Sequence, residues 1–282
     1  MFITTYQDPD QFLLKTRPTL EKDEAINGLL LGIAASAKKS PLYTSFYLAT
    51  VEDENRLLVA ACMTPPHNLI LSSLECASDE AFTLLIQDLR RGNWPVPGVL
   101  GPALASEKFA QTWAKMTGQQ YNVRFLERLF ALDQVIPPEH VAGQLRVATE
   151  DDLTLIKDWM FAFDQEATHS TNQEAAWQRA EVSVRSRDMY IWETPDKRVV
   201  SMAAKTRPIV KVISVGPVYT PPEERGHGYA SNCVADLSQL LLDQGWKYCS
   251  LFTNLANPTA NSIYQKIGYR PVGDFNVYAF VK

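Results

Sequence analysis

Arg225-Gly226-His227-Gly228-Tyr229-Ala230 follows Pro221-Pro222 and stands directly before a segment with helical spacing. Ala230, Val234, Leu237 and Leu241 recur on one face of that segment, Asp236, Gln239 and Asp243 lie opposite, and Gly245 closes it. A helix start leaves its first N–H groups unpaired and carries partial positive charge, so it attracts an anion. Gly226 and Gly228 have no Cβ, which lets a phosphate approach the backbone, and Arg225 adds a permanent cation. A dinucleotide loop is the competing reading. It needs an acid near the end of the next strand to hold a ribose. That strand ends Phe252-Thr253-Asn254-Leu255, and too little chain follows for a second mononucleotide half. A tight turn without a ligand would not call for Arg225.

The elements that must position this loop alternate along the second half of the chain. Thr149-Glu150-Asp151-Asp152 has the form of a capped helix start, and Leu153, Ile156, Met160 and Phe163 continue at helical spacing. A second helix is predicted from Asn172 to Val184. Strands follow at Met189–Glu193, Val199–Lys205 and Val210–Tyr219, the last bent around Gly216-Pro217. After the loop and its helix come a strand over Tyr248–Thr253, a helix over Pro258–Lys266 closed by Gly268, and a last strand over Asn276–Val281. The first half repeats this order in weaker form. It has a helix over Glu21–Ala37, strands at Phe46–Val51, Leu57–Met63 and Asn68–Leu74, and a helix over Asp79–Arg90. A short strand at Gly98–Leu100, a helix over Ser106–Met116 and a strand over Val123–Leu132 complete it. An internal repeat of about 140 residues is the expectation, with domains at 1–135 and 142–282 joined where Pro137-Pro138 and Gly143 interrupt the pattern.

A second motif lies downstream in Asn257-Pro-Thr-Ala-Asn261-Ser-Ile-Tyr264-Gln-Lys-Ile-Gly268-Tyr269. Together with Arg225, Gly228 and Ala230 in the pattern Arg-x-x-Gly-x-Ala, it resembles the GNAT superfamily of N-acetyltransferases over residues 142–282. The first half shares only the order of elements. The resemblance implies an α/β fold with a central mixed, mostly antiparallel sheet flanked by helices, in tandem with a degenerate N-terminal copy. It implies acetyl-CoA as acyl donor, with its pyrophosphate on Arg225, Gly226, His227, Gly228, Tyr229, Ala230 and Ser231 and its pantetheine arm along Val218, Tyr219 and Thr220. His227 stands where relatives often carry Lys or Arg. Asn257 and Asn261 suit either helix capping or cofactor contact, Asn261 being favoured for the latter.

The implied reaction is direct attack on the thioester by a primary amine of a small molecule or peptide. A phenol with a reference pKa near ~10 stays protonated and can donate to a leaving thiolate, the role the family assigns to Tyr264; packing of the last helix is the plainer reading of that ring. Glu166, at the end of the first helix of this half, is the candidate general base, with His169 in the adjoining loop, and Glu181, Glu193 and bound water are the alternatives. Phe161 to Ser170 is expected to line the acceptor cleft. In the first half the matching position reads Glu75-Cys76-Ala77-Ser78, with no glycine or arginine and an acid that would repel phosphate. A non-catalytic acyl-CoA-binding or sensing protein is the alternative function.

Composition excludes other classes. The net charge is −5, from 27 basic and 32 acidic residues, and no basic stripe marks a nucleic-acid partner. Four scattered cysteines form neither a disulfide framework nor a metal cluster, so no metal is expected. The N-terminus lacks the basic start and apolar run of a signal peptide. The longest apolar stretch, Leu29–Ala35, falls far short of the ~20 residues that span a bilayer. A cytoplasmic protein with no membrane partner is the expectation.

Overall fold

Hydrophobic spacing and turn chemistry build ten elements in the same order twice. A computed structural model describes residues 1–38, 43–74 and 77–281. The first series is β1 (Phe2–Thr5), α1 (Pro9–Leu20), α2 (Glu24–Ser36), β2 (Tyr47–Asp53), β3 (Arg56–Met63), β4 (Leu69–Ser73), α3 (Asp79–Arg91), β5 (Gly98–Pro102), α4 (Ala103–Thr117) and β6 (Gln120–Leu132). The second is β7 (Gln144–Val147), α5 (Leu153–Ala167), α6 (Gln173–Arg185), β8 (Met189–Glu193), β9 (Val199–Thr206), β10 (Val212–Tyr219), α7 (Tyr229–Asp243), β11 (Tyr248–Asn254), α8 (Pro258–Ile267) and β12 (Arg270–Val281).

The chain forms two compact units, Met1–Leu129 with Val272–Lys282, and Phe130–Pro271. These bounds differ from the expected split at 135–142. The last strand of the sequence belongs to the first unit because β12 pairs antiparallel with β5, Val277 opposite Leu100. The end of β6 belongs to the second unit because Phe130 and Leu132 are buried among the side chains of that core.

In the first unit the strands run β1-β2-β3-β4-β5-β12. All described pairings are antiparallel except β4 with β5, which is parallel. Phe82, Leu85, Ile86 and Leu89 recur at the 3–4-residue spacing of an amphipathic helix, and α3 buries them with Phe109 and Trp113 of α4. Sequence reading missed β1 and α1. The helix has little apolar periodicity and carries Pro9 and Pro18, yet Pro9 stands at its first turn, where no N–H is needed. Asp8 caps it by accepting from Asp10 N–H at 3.2 Å.

In the second unit the end of β6 is followed by β11-β10-β9-β8-β7. Val234, Leu237 and Leu241 of α7 and Ile267 of α8 cover one face of this sheet. Ile156, Trp159 and Met160 of α5 pack with Ala176 and Ala180 of α6 on the other. The capping box at Thr149 forms as expected, Asp152 reaching back to Thr149 N–H at 2.8 Å. The last strand starts at Arg270 rather than Asn276, because Pro271 and Gly273 are accommodated within it.

Candidate functional site

The parallel pair β10 and β11 sets the geometry. Val212, Ile213 and Ser214 lie opposite Tyr248, Cys249 and Ser250, and the described pairing stops there. Both strands run on, β10 to Tyr219 and β11 to Asn254. On its other side β10 stays paired with β9, Val218 opposite Ala203 and Tyr219 opposite Met202, after a register shift between Val215 and Val218. The edge of β10 facing β11 is thus open beside Val218 and Tyr219. An extended chain can add to such an edge as a strand would.

The end of β10 leads into the glycine loop. Gly228 is the N-cap of α7, with φ +81° and no side-chain cap. Gly226 has φ +82°, and a Cβ built there would meet no atom within 4 Å. Both positions need the left-handed backbone that glycine adopts without strain. Among the described residues, the N–H groups of Gly226 to Ser231 meet no backbone or side-chain acceptor outside their own helix. The sequence therefore builds a helix start whose first donors have no partner among the described residues outside the helix, the chemistry that suits an anion. Asn232, which sequence reading missed, fixes this turn. Its amide donates to Glu139 O at 3.0 Å and Gly228 O at 3.1 Å. A buried polar residue in the first turn of an apolar helix is the signal that would have found it.

Arg225 is anchored on three sides. Its Nε donates to Thr220 O at 2.9 Å, its guanidinium lies 5.8 Å from the Tyr219 ring centroid, and its Nη2 reaches Glu166 Oε1 and Oε2 at 2.9 and 2.7 Å. Arg225 and Glu166 are both about half exposed. Tyr219 is buried, and that burial, with the nearby Glu166 charge, pushes its phenol above the ordinary tyrosine value. Ser201, a second residue missed in the sequence, lies buried on β9. It donates to Tyr219 O at 3.2 Å and shares a 2.9 Å hydrogen bond with Thr220 Oγ1, holding the end of β10. The structure thus brings Glu166, Tyr219, Thr220 and Arg225 into one contact set.

The second motif forms α8. Asn257 is its cap, accepting from Ala260 N–H at 3.0 Å. Asn261 accepts from Thr253 Oγ1 at 2.6 Å and donates to Asn254 O at 3.0 Å and Asn257 O at 2.7 Å. Its amide thereby ties α8 to the end of β11. Tyr264 is partly buried against the same apolar cluster as Val218 and Tyr229, edge-on to Tyr269 at 5.9 Å. Burial, with the neighbouring Cys233, pushes its phenol up to about 12. It is a neutral donor at any ordinary pH. Among the described residues no hydrogen bond or ion pair joins it to Glu166, whose partner is Arg225. His227 is exposed, its ring 5.7 Å from that of Tyr229, and Ala230 and Ser231 are partly buried in the first turn of α7.

The other carboxylates are engaged elsewhere. Glu181 pairs with Lys157 at 2.5 Å, and Glu193 with Arg146 at 2.8 Å and Lys197 at 3.1 Å. These cations hold both carboxyls below the usual glutamate range. His169 is exposed with φ +54°, and Phe161 and Phe163 lie partly buried on α5.

The first unit differs at the equivalent turn. Glu75 and Cys76 lie outside the described residues, but Ser78 caps α3, its Oγ accepting from Ala81 N–H at 3.4 Å. Among the described residues no group of three or more His, Cys, Asp or Glu could hold a metal ion. No helix among them is long and apolar enough to cross a membrane.

A family model described as FR47-like protein matches residues 197–278, the stretch that holds the glycine loop and α8. None of the curated proteins matches the sequence. Solved structures match over nearly the whole chain. An acetyltransferase from the GNAT family of Colwellia psychrerythraea is 12% identical, covers 99% of both chains and has a TM-score of 0.61. A tandem GNAT protein from the clavulanic acid biosynthesis pathway is 12% identical, covers 99% of this chain and 98% of its own, and has a TM-score of 0.60. This is the GNAT fold, in tandem. A GCN5-related N-acetyltransferase from Sphaerobacter thermophilus has the same fold at 13% identity, covering 98% of this chain and 94% of its own with a TM-score of 0.63. The GNAT resemblance read from Arg225 to Ala230 and from Asn257 to Tyr269 is borne out, and it extends to the first unit through its fold.

Proposed function

We propose that the second unit is an acetyl-CoA-dependent N-acetyltransferase acting on a primary amine of a small molecule or peptide. The observation that carries this reading is the uncapped start of α7 beside an open strand edge. Its N–H donors from Gly226 to Ser231 and the space over Gly226 suit a diphosphate. Val218 and Tyr219 lie on the open edge of β10, with Thr220 just past its end, and suit an extended arm with amide groups. When bound, the donor supplies an activated acetyl thioester.

The protein's own groups divide the remaining work. The α7 start and Arg225 hold the anionic end of the donor. Ser201 keeps Tyr219 and Thr220 in place. Tyr264, neutral because its phenol is pushed up to about 12, holds a proton for the departing sulfur. Glu166 accepts the ammonium proton or holds a cationic acceptor, and to do either it must part from Arg225, whose guanidinium now occupies both its oxygens. Asn261 acts through α8, fixing the helix that carries Tyr264.

The test is a panel of small-molecule and peptide amines with acetyl-CoA, followed by release of free thiol. Turnover with at least one amine supports the reading. A protein that binds CoA in a calorimeter yet releases thiol with no amine is the sensing alternative. Failure to bind CoA would overturn both.

A further inference from the structure

We propose that the first unit carries its own binding site for a small free amino acid with an apolar or aromatic side chain, in the cleft at the carboxyl end of α3. This cleft lies wholly within the first unit and uses none of the residues assigned above. Its volume is about 290 Å³, lined by Tyr6, Tyr47, Asp88, Arg91 and Trp94 among others. At about 30 Å³ per water-sized group, that is room for roughly ten, close to the size of such a ligand.

The lining has the chemistry of a zwitterion site. Asp88 and Arg91 stand three residues apart on α3 and so lie side by side on one helix face. They are not within ion-pair distance of each other, and Arg91 meets no carboxylate at that distance among the described residues. Asp88 Oδ2 accepts from the Tyr47 hydroxyl at 2.9 Å, while Oδ1 has no partner among the described residues. One carboxylate and one guanidinium are therefore both open to the cleft. An α-amino acid offers an ammonium to the one and a carboxylate to the other, and charge-assisted hydrogen bonds to both would orient the ligand. The burial of Tyr47, with Asp88 beside it, pushes its phenol well above the ordinary value, so it remains a donor to Asp88.

The apolar wall is built rather than incidental. Tyr47 and Trp94 meet edge to face at 5.3 Å. The Trp94 backbone N–H donates to Leu89 O at 3.0 Å, fixing where the ring stands. Gly92 permits this, because a Cβ there would lie 2.7 Å from Trp94 Cδ1. An indole and a phenol at fixed angles suit an apolar or aromatic side chain.

Isothermal calorimetry on the full chain tests the site with four probes: L-phenylalanine, L-leucine, phenethylamine and 3-phenylpropionate. L-Phenylalanine or L-leucine is expected to bind at one site per chain in this cleft. The amine alone and the acid alone should bind at least about tenfold more weakly, each lacking one charged contact. Asp88→Asn keeps the shape and the acceptor for Tyr47, and Arg91→Gln changes an exposed residue. Each should weaken the amino acid about tenfold or more. Should Asp88→Asn fail to fold by circular dichroism, Arg91→Gln decides alone. No heat from either amino acid up to about 10 mM, equal binding of the amine alone, or binding that survives Arg91→Gln would overturn the proposal. Binding that survives Arg91→Gln would belong to another site, such as the acceptor cleft of the second unit. CoA binding and thiol release are unaffected by either variant under this proposal, so its failure leaves the reading of the second unit standing.

Discussion

Glu166→Gln separates two effects that act on the same side chain. In the free protein Glu166 holds Arg225 through two short contacts, 2.9 and 2.7 Å, while both groups are about half exposed. An exposed pair of this kind contributes about 0.2–1 kcal/mol. A diphosphate that recruits Arg225 must first give up that much. Gln keeps the shape and removes the charge, so the variant no longer opposes the anion. At about 1.4 kcal/mol per tenfold, CoA affinity should rise by a factor of about 1.4 to 5. Salt screens exposed charges, so the gain should shrink as ionic strength rises.

Turnover should move the other way. If Glu166 takes the ammonium proton, kcat falls about 10²-fold or more, the usual span for a positioned base. If it only holds a cationic acceptor, the acceptor KM rises with kcat nearly unchanged. The assay pairs CoA titration in a calorimeter at two salt concentrations with thiol release across several amines. Weaker CoA binding in Glu166→Gln would refute this competition. It would mean that Glu166 orders Arg225 for the donor rather than withholding it. Wild-type affinity, kcat and KM together would remove Glu166 from the mechanism.

Gly228→Ala forces a Cβ into φ +81° and within 3.1 Å of Val141 Cγ1; the strain of about 1–2 kcal/mol should lower the melting temperature, and calorimetry should show the single CoA site per chain of the wild type lost. Two CoA sites in the wild-type chain would refute the assignment to the second unit. Tyr264→Phe should lower kcat about 10²-fold or more with little change in CoA affinity; because the phenol is pushed up to about 12, the wild-type rate should show no limb from this group below pH ~11. Asp152 is held below the usual aspartate value by Arg146, which it meets at 2.7 Å. A depressed folded-state value means stability fully present above the unfolded value, and lost as pH falls through the folded one. Urea midpoints should therefore drop as pH falls below about 4, and Asp152→Asn should flatten that dependence while costing stability at pH 7.

The second unit was legible because its signals are local. Gly228, Pro258 and Gly268 mark turns whose chemistry does not depend on distant contacts, and the elements there fall within a few residues of expectation. The first unit was legible only in order. Its first strand and helix escaped because α1 gains its place by burying Phe12, Leu13 and Leu20 in a core that the local pattern does not announce. The unit boundaries escaped for a topological reason. Pairing of β12 with β5 joins residues nearly 180 positions apart, and no local signal encodes that. The site divided in the same way. The loop and α8 were readable as motifs, whereas the Arg225–Glu166 pair, Asn232 and Ser201 act through three-dimensional neighbours alone.

The same fold twice does not give the same helix start twice, and the physical difference sits at one turn. Both α3 and α7 follow the fourth strand of their series, and both present a helix start at the end of a parallel strand pair. Ser78 lies in extended backbone, φ −95° and ψ 166°, and its own hydroxyl meets Ala81 N–H. Such a cap stabilises a helix by about 1 kcal/mol, and it does so by occupying a donor that an anion would need. Gly228 gives up that contribution, leaving the first N–H groups of α7 without a side-chain partner. The second unit thus carries a locally less stable helix start whose deficit a bound anion would repay. Asp79 and Glu80 in the first turn of α3 add two negative charges at the helix start, where α7 has none. A diphosphate at α3 would meet a filled donor and two like charges. The cap, rather than the fold, separates the two helix starts.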